Sequence, residues 1–226
     1  MTVLRVMAYN IFEGGRFGEP LWEVVRAAAP DVLVVNESPP YPFVWRRRCR
    51  RLADDWGMHL VVGGRPSGSV MLLTRPGIQA TLLHQEVLGR PPFRTWRGLV
   101  SARLRVDERQ LGVVGCHLSP DHPRLRLREA AKVVDVARAL PDPVVLAGDL
   151  NQAAGGAVWQ SLRQAGFVDH GSEDWQTYPS VSPVRRIDAV LVRGEVDVLH
   201  HGDPGVPPHL LASASDHRPV LAVLDV

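Results

Sequence analysis

Val144-Val145-Leu146-Ala147-Gly148-Asp149-Leu150-Asn151 is the stretch on which the fold turns. Four apolar residues in succession, two of them β-branched, describe a strand buried on both faces of a covered sheet. The strand stops at a glycine and then presents a carboxylate and an amide two positions apart. Alternate residues of an extended chain point to one side, so Asp149 and Asn151 reach one point in space. A carboxylate takes a proton from water or holds one in line, and an amide holds a phosphoryl oxygen without adding negative charge. Gly-Asp-Leu-Asn is also an ordinary turn sequence. The choice between turn and site depends on whether other strands end in the same way.

They do. Thr2 to Ala8 reads as a strand followed by Asn10, and Asp31 to Val35 as a strand followed by Asn36-Glu37. Leu99 to Val106 and Gln110 to Cys116 read as a hairpin around Asp107-Glu108 that ends at His117. Ile187 to Val192 carries Asp188 among apolar neighbours, and Val196 to His200 reads as its partner strand. Gly202 to Ser215 reads as a proline-containing loop that delivers Asp216-His217 to the last strand, Val220 to Leu224. Helices are predicted over Glu19 to Ala29, Trp45 to Trp56, Arg124 to Leu140 and Ala157 to Ala165. The stripe Leu127, Ala131, Val134 and Ala137 is the predicted inner face of the third of these. Many strands with few helices, and no repeat or linker, predict one domain over residues 1–226, built as two packed sheets flanked by helices.

Composition narrows the class. The chain has 226 residues, 45% of them hydrophobic, and a net charge of +2. That content suits a sizeable core, and so weak a basic balance neither demands nor excludes an anionic partner. Lys132 is the only lysine, so nearly all the positive charge is arginine. The helix over Trp45 to Trp56 is crowded with Arg46, Arg47, Arg48, Arg50 and Arg51, which read as a solvated face or as a phosphate-tracking patch. Two cysteines, Cys49 and Cys116, make neither a disulfide framework nor a zinc motif. No apolar run is long enough to span a bilayer, and a cytoplasmic monomer is expected.

Asn10, Glu37, His117, Asp149, Asn151, Asp188, Asp216 and His217 thus gather at strand ends, where loops collect functional groups. Each alone has a bland reading as a loop residue, a partly buried histidine or a turn. Asp188 is the hardest to dismiss, because an unpartnered buried carboxylate is costly. Four carboxylates in one cleft repel each other unless a cation offsets them. Oxygen ligands without thiolate predict magnesium or manganese, with calcium also compatible.

The ordered set Ala8-Tyr9-Asn10, Val35-Asn36-Glu37, Cys116-His117-Leu118-Ser119, Ala147-Gly148-Asp149-Leu150-Asn151, Arg186-Ile187-Asp188 and Ser215-Asp216-His217-Arg218-Pro219 resembles the endonuclease/exonuclease/phosphatase superfamily of metal-dependent phosphoesterases. The resemblance spans nearly the whole chain. It implies an α+β four-layered sandwich, two mixed sheets face to face with helices outside. It implies Glu37 as the main metal ligand, with Asn10 and Asp216 near the cation. Asp149 would orient or deprotonate the attacking water, Asn151 would hold the scissile phosphate, and His217, buttressed by Asp188, would contact a phosphate oxygen. His117 matches the histidine of deoxyribonuclease-like members.

The expected activity is hydrolysis of phosphodiesters by in-line attack of water, with a phosphate ester and possibly nucleic acid as partner. A phosphomonoesterase or a lipid-headgroup hydrolase on the same scaffold is the alternative. A catalytically silent binding module is disfavoured by the intact set of eight residues. Arg94, Arg97, Arg185 and Arg186 are the arginines predicted to offset the extra charge of a monoester.

Overall fold

The computed structural model describes residues 2–13, 18–39, 41–91, 95–172 and 174–226. Among the described residues, eleven strands form two mixed sheets. In the first, β1 (Val3–Asn10), β2 (Val32–Asn36), β3 (His59–Val62), β4 (Met71–Thr74), β10 (Asp197–Gly202) and β11 (Val220–Asp225) lie in the order β10-β11-β1-β2-β4-β3. In the second, β5 (Gln79–Gly89), β6 (Arg97–Val106), β7 (Arg109–His117), β8 (Val144–Asp149) and β9 (Asp188–Arg193) run in sequence order.

The apolar runs dictate the layers. Along β1, Leu4, Val6 and Ala8 enter a core between the sheets, whereas Met7 and Tyr9 face the opposite way. Along β8, Val145 and Ala147 enter that same core, and Val144 and Leu146 face outward. Both faces of both sheets are therefore apolar, and helices must cover the outer ones. The helices α1 (Gly18–Ala28), α2 (Trp45–Asp55) and α5 (Pro208–Ala214) cover the first sheet. The second is covered by α3 (Pro123–Arg138) and α4 (Ala157–Gln164). The four-layered sandwich is as expected.

Each sheet contains one parallel pair. β1 and β2 are joined by α1, and β7 and β8 by α3. A crossover helix returns the chain to the starting edge, so both members of a parallel pair end on the same side. Asn10 and Asn36 are register partners at the ends of β1 and β2. His117 and Asp149 are partners at the ends of β7 and β8, and Asp188 faces Asp149 from the start of β9.

Three expectations fail. β10 is not the partner of β9. After Gly194 the chain leaves the second sheet, and β10 pairs antiparallel with β11 in the first, Asp197 opposite Asp225. The prolines at 207 and 208 do not keep the following segment a loop, because proline is tolerated in the first helical turn and α5 begins there. The inner face of α3 begins with Arg126, Glu129, Ala130 and Val133, while Leu127 is 38% exposed. Polar partners at the site draw Arg126 and Glu129 inward.

Gly148 is a point of close backbone approach at this edge. Its φ is +146°, and a Cβ there would lie 2.0 Å from the Cys116 carbonyl oxygen on the neighbouring strand. Gly148→Ala is expected to cost on the order of 3 kcal/mol or more, read as a lower urea midpoint. A loss below about 1 kcal/mol would mean that β7 and β8 can part here at little cost.

Candidate active site

All eight predicted residues meet at this edge. Glu37, Asp149, Asn151, Asp216 and His217 line a cleft of about 370 Å³ together with Arg97, Asp121, Tyr178 and Arg185. Asn10, His117 and Asp188 are buried behind it. A larger depression of about 1160 Å³, lined by Glu108, Asp142 and Asp197 among others, contains none of these groups. It lies at the opposite end of β7 and β8.

Asp149 is the hub. Its Oδ1 accepts the Asn151 backbone N–H at 2.7 Å. Its Oδ2 accepts Asn10 Nδ2 at 3.1 Å and Asn151 Nδ2 at 3.3 Å. His117 Nε2 stands 3.5 Å and His217 Nε2 4.0 Å from the same oxygen. Burial and the facing Asp188 nonetheless push the Asp149 carboxyl up to about 7. A carboxylate with that value is poised as a base near neutrality.

The two imidazoles are held in different states. Arg97 Nη1 stands 3.4 Å from His117 Nδ1, and a guanidinium can only donate, so His117 carries its proton on Nε2. Burial and the Arg97 charge push the His117 pKa well below its usual value. The ring is neutral, and its approaches to Asp149 and Glu37 are not ion pairs. His217 Nδ1 donates to Asp188 Oδ2 at 2.8 Å. Burial opposes the charged ring, but the carboxylates of Asp188, Asp149 and Asp216 outweigh it and raise His217 to about 10. His217 is an imidazolium.

Glu37 occupies the other wall. Its backbone φ is +57° and that of Asn151 is +50°, and non-glycine residues held in the left-handed region concentrate at functional sites. Burial raises the Glu37 carboxyl above its usual value, while Arg97 and His217 pull it down. Its Oε2 lies 3.3 Å from Thr95 Oγ1, which also reaches Glu13.

Asp149, Asp188 and His217 place ligand atoms within 4.8 Å of one another. The His217 nitrogen facing Asp188 is already used in a hydrogen bond, and a cation held there would compete with it. Glu37, Asn10 and Asp216 offer only oxygen toward a cation, which fits a hard divalent ion. The Asn10 oxygen also accepts the Phe12 N–H at 3.1 Å, leaving it a second lone pair.

Several residues that support the site escaped sequence reading. Asn36 Nδ2 donates to the Cys116 carbonyl, and its Oδ1 accepts the Asp149 N–H, both at 2.9 Å. Arg126 Nη1 donates to the carbonyls of Ser119, Pro120 and Asn151 at 2.9, 2.7 and 2.7 Å. Glu129 accepts the backbone N–H and the hydroxyl of Ser119 at 2.7 and 2.6 Å. A buried polar residue ending an apolar run signals Asn36, and an Arg and a Glu three apart on a helix signal the other pair. Of the predicted phosphate arginines, Arg186 is bound by Asp169 at 2.9 and 2.6 Å and lies over the Trp159 ring. Arg94 lies outside the described residues.

The family model of the Endonuclease/Exonuclease/phosphatase family matches residues 7–217. The chain belongs to this family of divalent-metal-dependent hydrolases of phosphoester bonds. No curated protein sequence matches it. Among solved structures it is similar to an endonuclease/exonuclease/phosphatase family protein of Bacteroides thetaiotaomicron, at 16% identity and TM-score 0.75 over 99% of this chain and 98% of that one. The mannosyl-6-phosphatase of the same species is similar at 16% identity and TM-score 0.74, over 99% and 100%. D. rerio TDP2, complexed with single-strand DNA product, is similar at 15% identity and TM-score 0.73 over the whole of both chains. At these identities the likenesses carry the fold alone.

Asp188 raises both Asp149 and His217, so Asp188→Asn is expected to lower both. The rate should rise as Asp149 loses its proton and fall as His217 loses its own. Both limbs of the pH–rate profile should therefore slide to lower pH, by ~1 unit. Limbs that stay in place would remove Asp188 from the electrostatics of the site.

Proposed function

We propose that the chain is a magnesium- or manganese-dependent phosphodiesterase acting on nucleic acid by in-line attack of water on phosphorus. The observation that carries this reading is the convergence on Asp149 Oδ2 of two amides and two imidazoles, one neutral and one charged. A divalent cation held by Glu37, with Asn10 and Asp216, supplies charge neutralisation at the phosphoryl group.

Asp149 takes the proton of the attacking water as its oxygen bonds to phosphorus. Asn151 commits one amide hydrogen to the Leu118 carbonyl at 2.9 Å. The other, on the longer bond to Asp149, is the one available to a phosphoryl oxygen. His217 donates Nε2–H to a non-bridging oxygen as its charge grows, and Asp188, bonded to Nδ1–H, keeps the ring protonated. The neutral His117 donates from Nε2 into the space between Asp149 and Glu37. The phosphorus–oxygen bond to the leaving group breaks, and the departing oxygen takes its proton from solvent.

A diester is favoured because a monoester dianion brings a second charge into a cleft lined by Glu37, Asp121, Asp149 and Asp216. Arg97 is already drawn onto the Thr95 carbonyl at 2.8 Å. One observation supports a phosphomonoesterase as the second reading. Arg185 lines the cleft with its guanidinium 5.3 Å from the Tyr178 ring, and it has no carboxylate partner among the described residues. A related fold is a mannosyl-6-phosphatase and another is complexed with single-strand DNA product. The two free, buried cysteines fit a cytoplasmic setting.

Turnover of bis-p-nitrophenyl phosphate is expected to vanish in EDTA and return with magnesium or manganese. It should exceed turnover of p-nitrophenyl phosphate. Glu37→Gln should raise the metal concentration for half-maximal rate, and Asp149→Asn should lower kcat by ~10² to 10⁴-fold. Preference for the monoester, with plasmid DNA left intact, would move the protein to the phosphatase reading. Full activity without metal would remove the cation from the site.

A further inference from the structure

Beside the cleft lies a second cluster that the hydrolytic chemistry does not use. Thr95 and Arg97 are buried and reach Glu37, and Trp96 between them is only half-buried. Two guanidiniums lie against the Trp96 ring, Arg65 at 4.3 Å from its centroid and Arg90 at 4.8 Å. Arg65 opens a short 3-10 turn, Arg65–Ser67, that sits backbone to backbone on β6. A Cβ on Gly68 would lie 2.0 Å from the Arg97 carbonyl oxygen, and one on Gly98 would lie 1.9 Å from that of Ser67. So close an approach locks Arg65 at a fixed distance from the catalytic edge.

The cluster continues away from the cleft. Gly64, at φ +81°, leaves room for the Trp45 ring, which a Cβ there would meet at 2.2 Å. Trp45 begins α2 and carries the Arg46 guanidinium 5.1 Å from its ring centroid. Arg90, Trp96, Arg65, Trp45 and Arg46 therefore form one strip in which cations and indoles alternate. It starts one residue from Thr95. None of the three arginines has a carboxylate partner among the described residues.

We propose that this strip is a track for single-stranded nucleic acid entering or leaving the active site. As a substrate track it rests on the phosphodiesterase reading. A guanidinium held over an indole keeps N–H donors for a phosphate and loses little freedom on binding. Uncompensated arginines in a row complement the evenly spaced charges of a polynucleotide backbone. Guanidinium planes backed by indoles offer stacking surface to unstacked bases, which a duplex keeps inside. Single strands are thus the matching partner. Trp45 extends the strip onto α2, whose arginines the chemistry at Asp149 leaves without a role.

The probe is a fluorescein-labelled single-stranded DNA of about 12 nucleotides, within the usual site size for such grooves. Binding is read by anisotropy in EDTA, so no turnover is needed. Arg65→Gln/Arg90→Gln is expected to weaken binding by ~10-fold at low salt and to reduce the slope of log affinity against log salt by about 1.4, two contacts at ~0.7 each. Trp96→Ala should also weaken it, and Trp96→Phe should restore most of the loss should the Ala variant fold poorly. The control Arg103→Gln/Arg109→Gln removes equal charge from exposed positions on the β6–β7 hairpin and should change little. Hydrolysis of bis-p-nitrophenyl phosphate should be unchanged in all of these variants.

Equal losses in the control pair, tighter binding of duplex than of single strand, or no binding at low salt would each overturn the track. Arginine-dependent binding by a metal-loaded protein that cleaves no diester would instead overturn the catalytic reading and leave the strip as a binding site.

Discussion

Asn36 is fully buried and uses both ends of its side-chain amide to join the two sheets. It sits at the end of β2 in one sheet and bonds the Cys116 carbonyl and the Asp149 N–H in the other. Apolar contact between sheets is non-directional and leaves them free to slide. Two hydrogen bonds from one planar amide, in a site without competing water, fix one relative position. That position decides whether Asn10 can reach Asp149, and whether Glu37, the next residue, faces the same cleft.

A second constraint follows from putting acids at such an edge. Asp149 and Asp188 face each other as register partners on neighbouring strands, where like charges are destabilising. The protein answers with His217 between them and with amide donors on the Asp149 oxygens. It leaves the carboxyl of Glu37 raised by burial and only partly offset by Arg97 and His217. The left-handed turn at Asn151 is held from outside by Arg126, which donates to its carbonyl, and the Ser119 segment by Arg126 and Glu129 together. Those two buried charges on α3 clamp the turns that carry His117 and Asn151, and they explain why the helix turns a polar face inward.

The legible part of the molecule is the part in which one-dimensional pattern and three-dimensional role coincide. Strands covered on both faces give unbroken apolar runs, so the polar residue that ends each run stands out. All eight candidate positions were visible for that reason. Connectivity between sheets is not encoded in such runs. Val196 to His200 reads as the partner of the preceding strand because neighbouring strands usually pair, yet the half-exposed β10 completes the other sheet. Pro207 and Pro208 read as loop, although proline at the first turn begins α5. Arg126 and Glu129 hide inside a helix whose period suits Leu127 and Ala131 equally well. Asn36 hides beside Glu37, whose charge is the stronger signal.

The arginines carry the last step. Composition made every guanidinium near the strand ends look equivalent, and geometry separates them by what each already touches. Arg186 is consumed by Asp169, Arg126 by three carbonyls, and Arg218 by the Ser180 carbonyl at 2.8 Å. Arg97 neutralises part of Glu37 and fixes the tautomer of His117. A guanidinium with its donors already engaged cannot also surround a phosphate dianion without abandoning buried acceptors, at about 1–3 kcal/mol each. What the cleft retains for the substrate is one imidazolium, one arginine on the Tyr178 ring and the capacity for a cation. The surplus positive charge lies outside the cleft, along the surface that leads away from it.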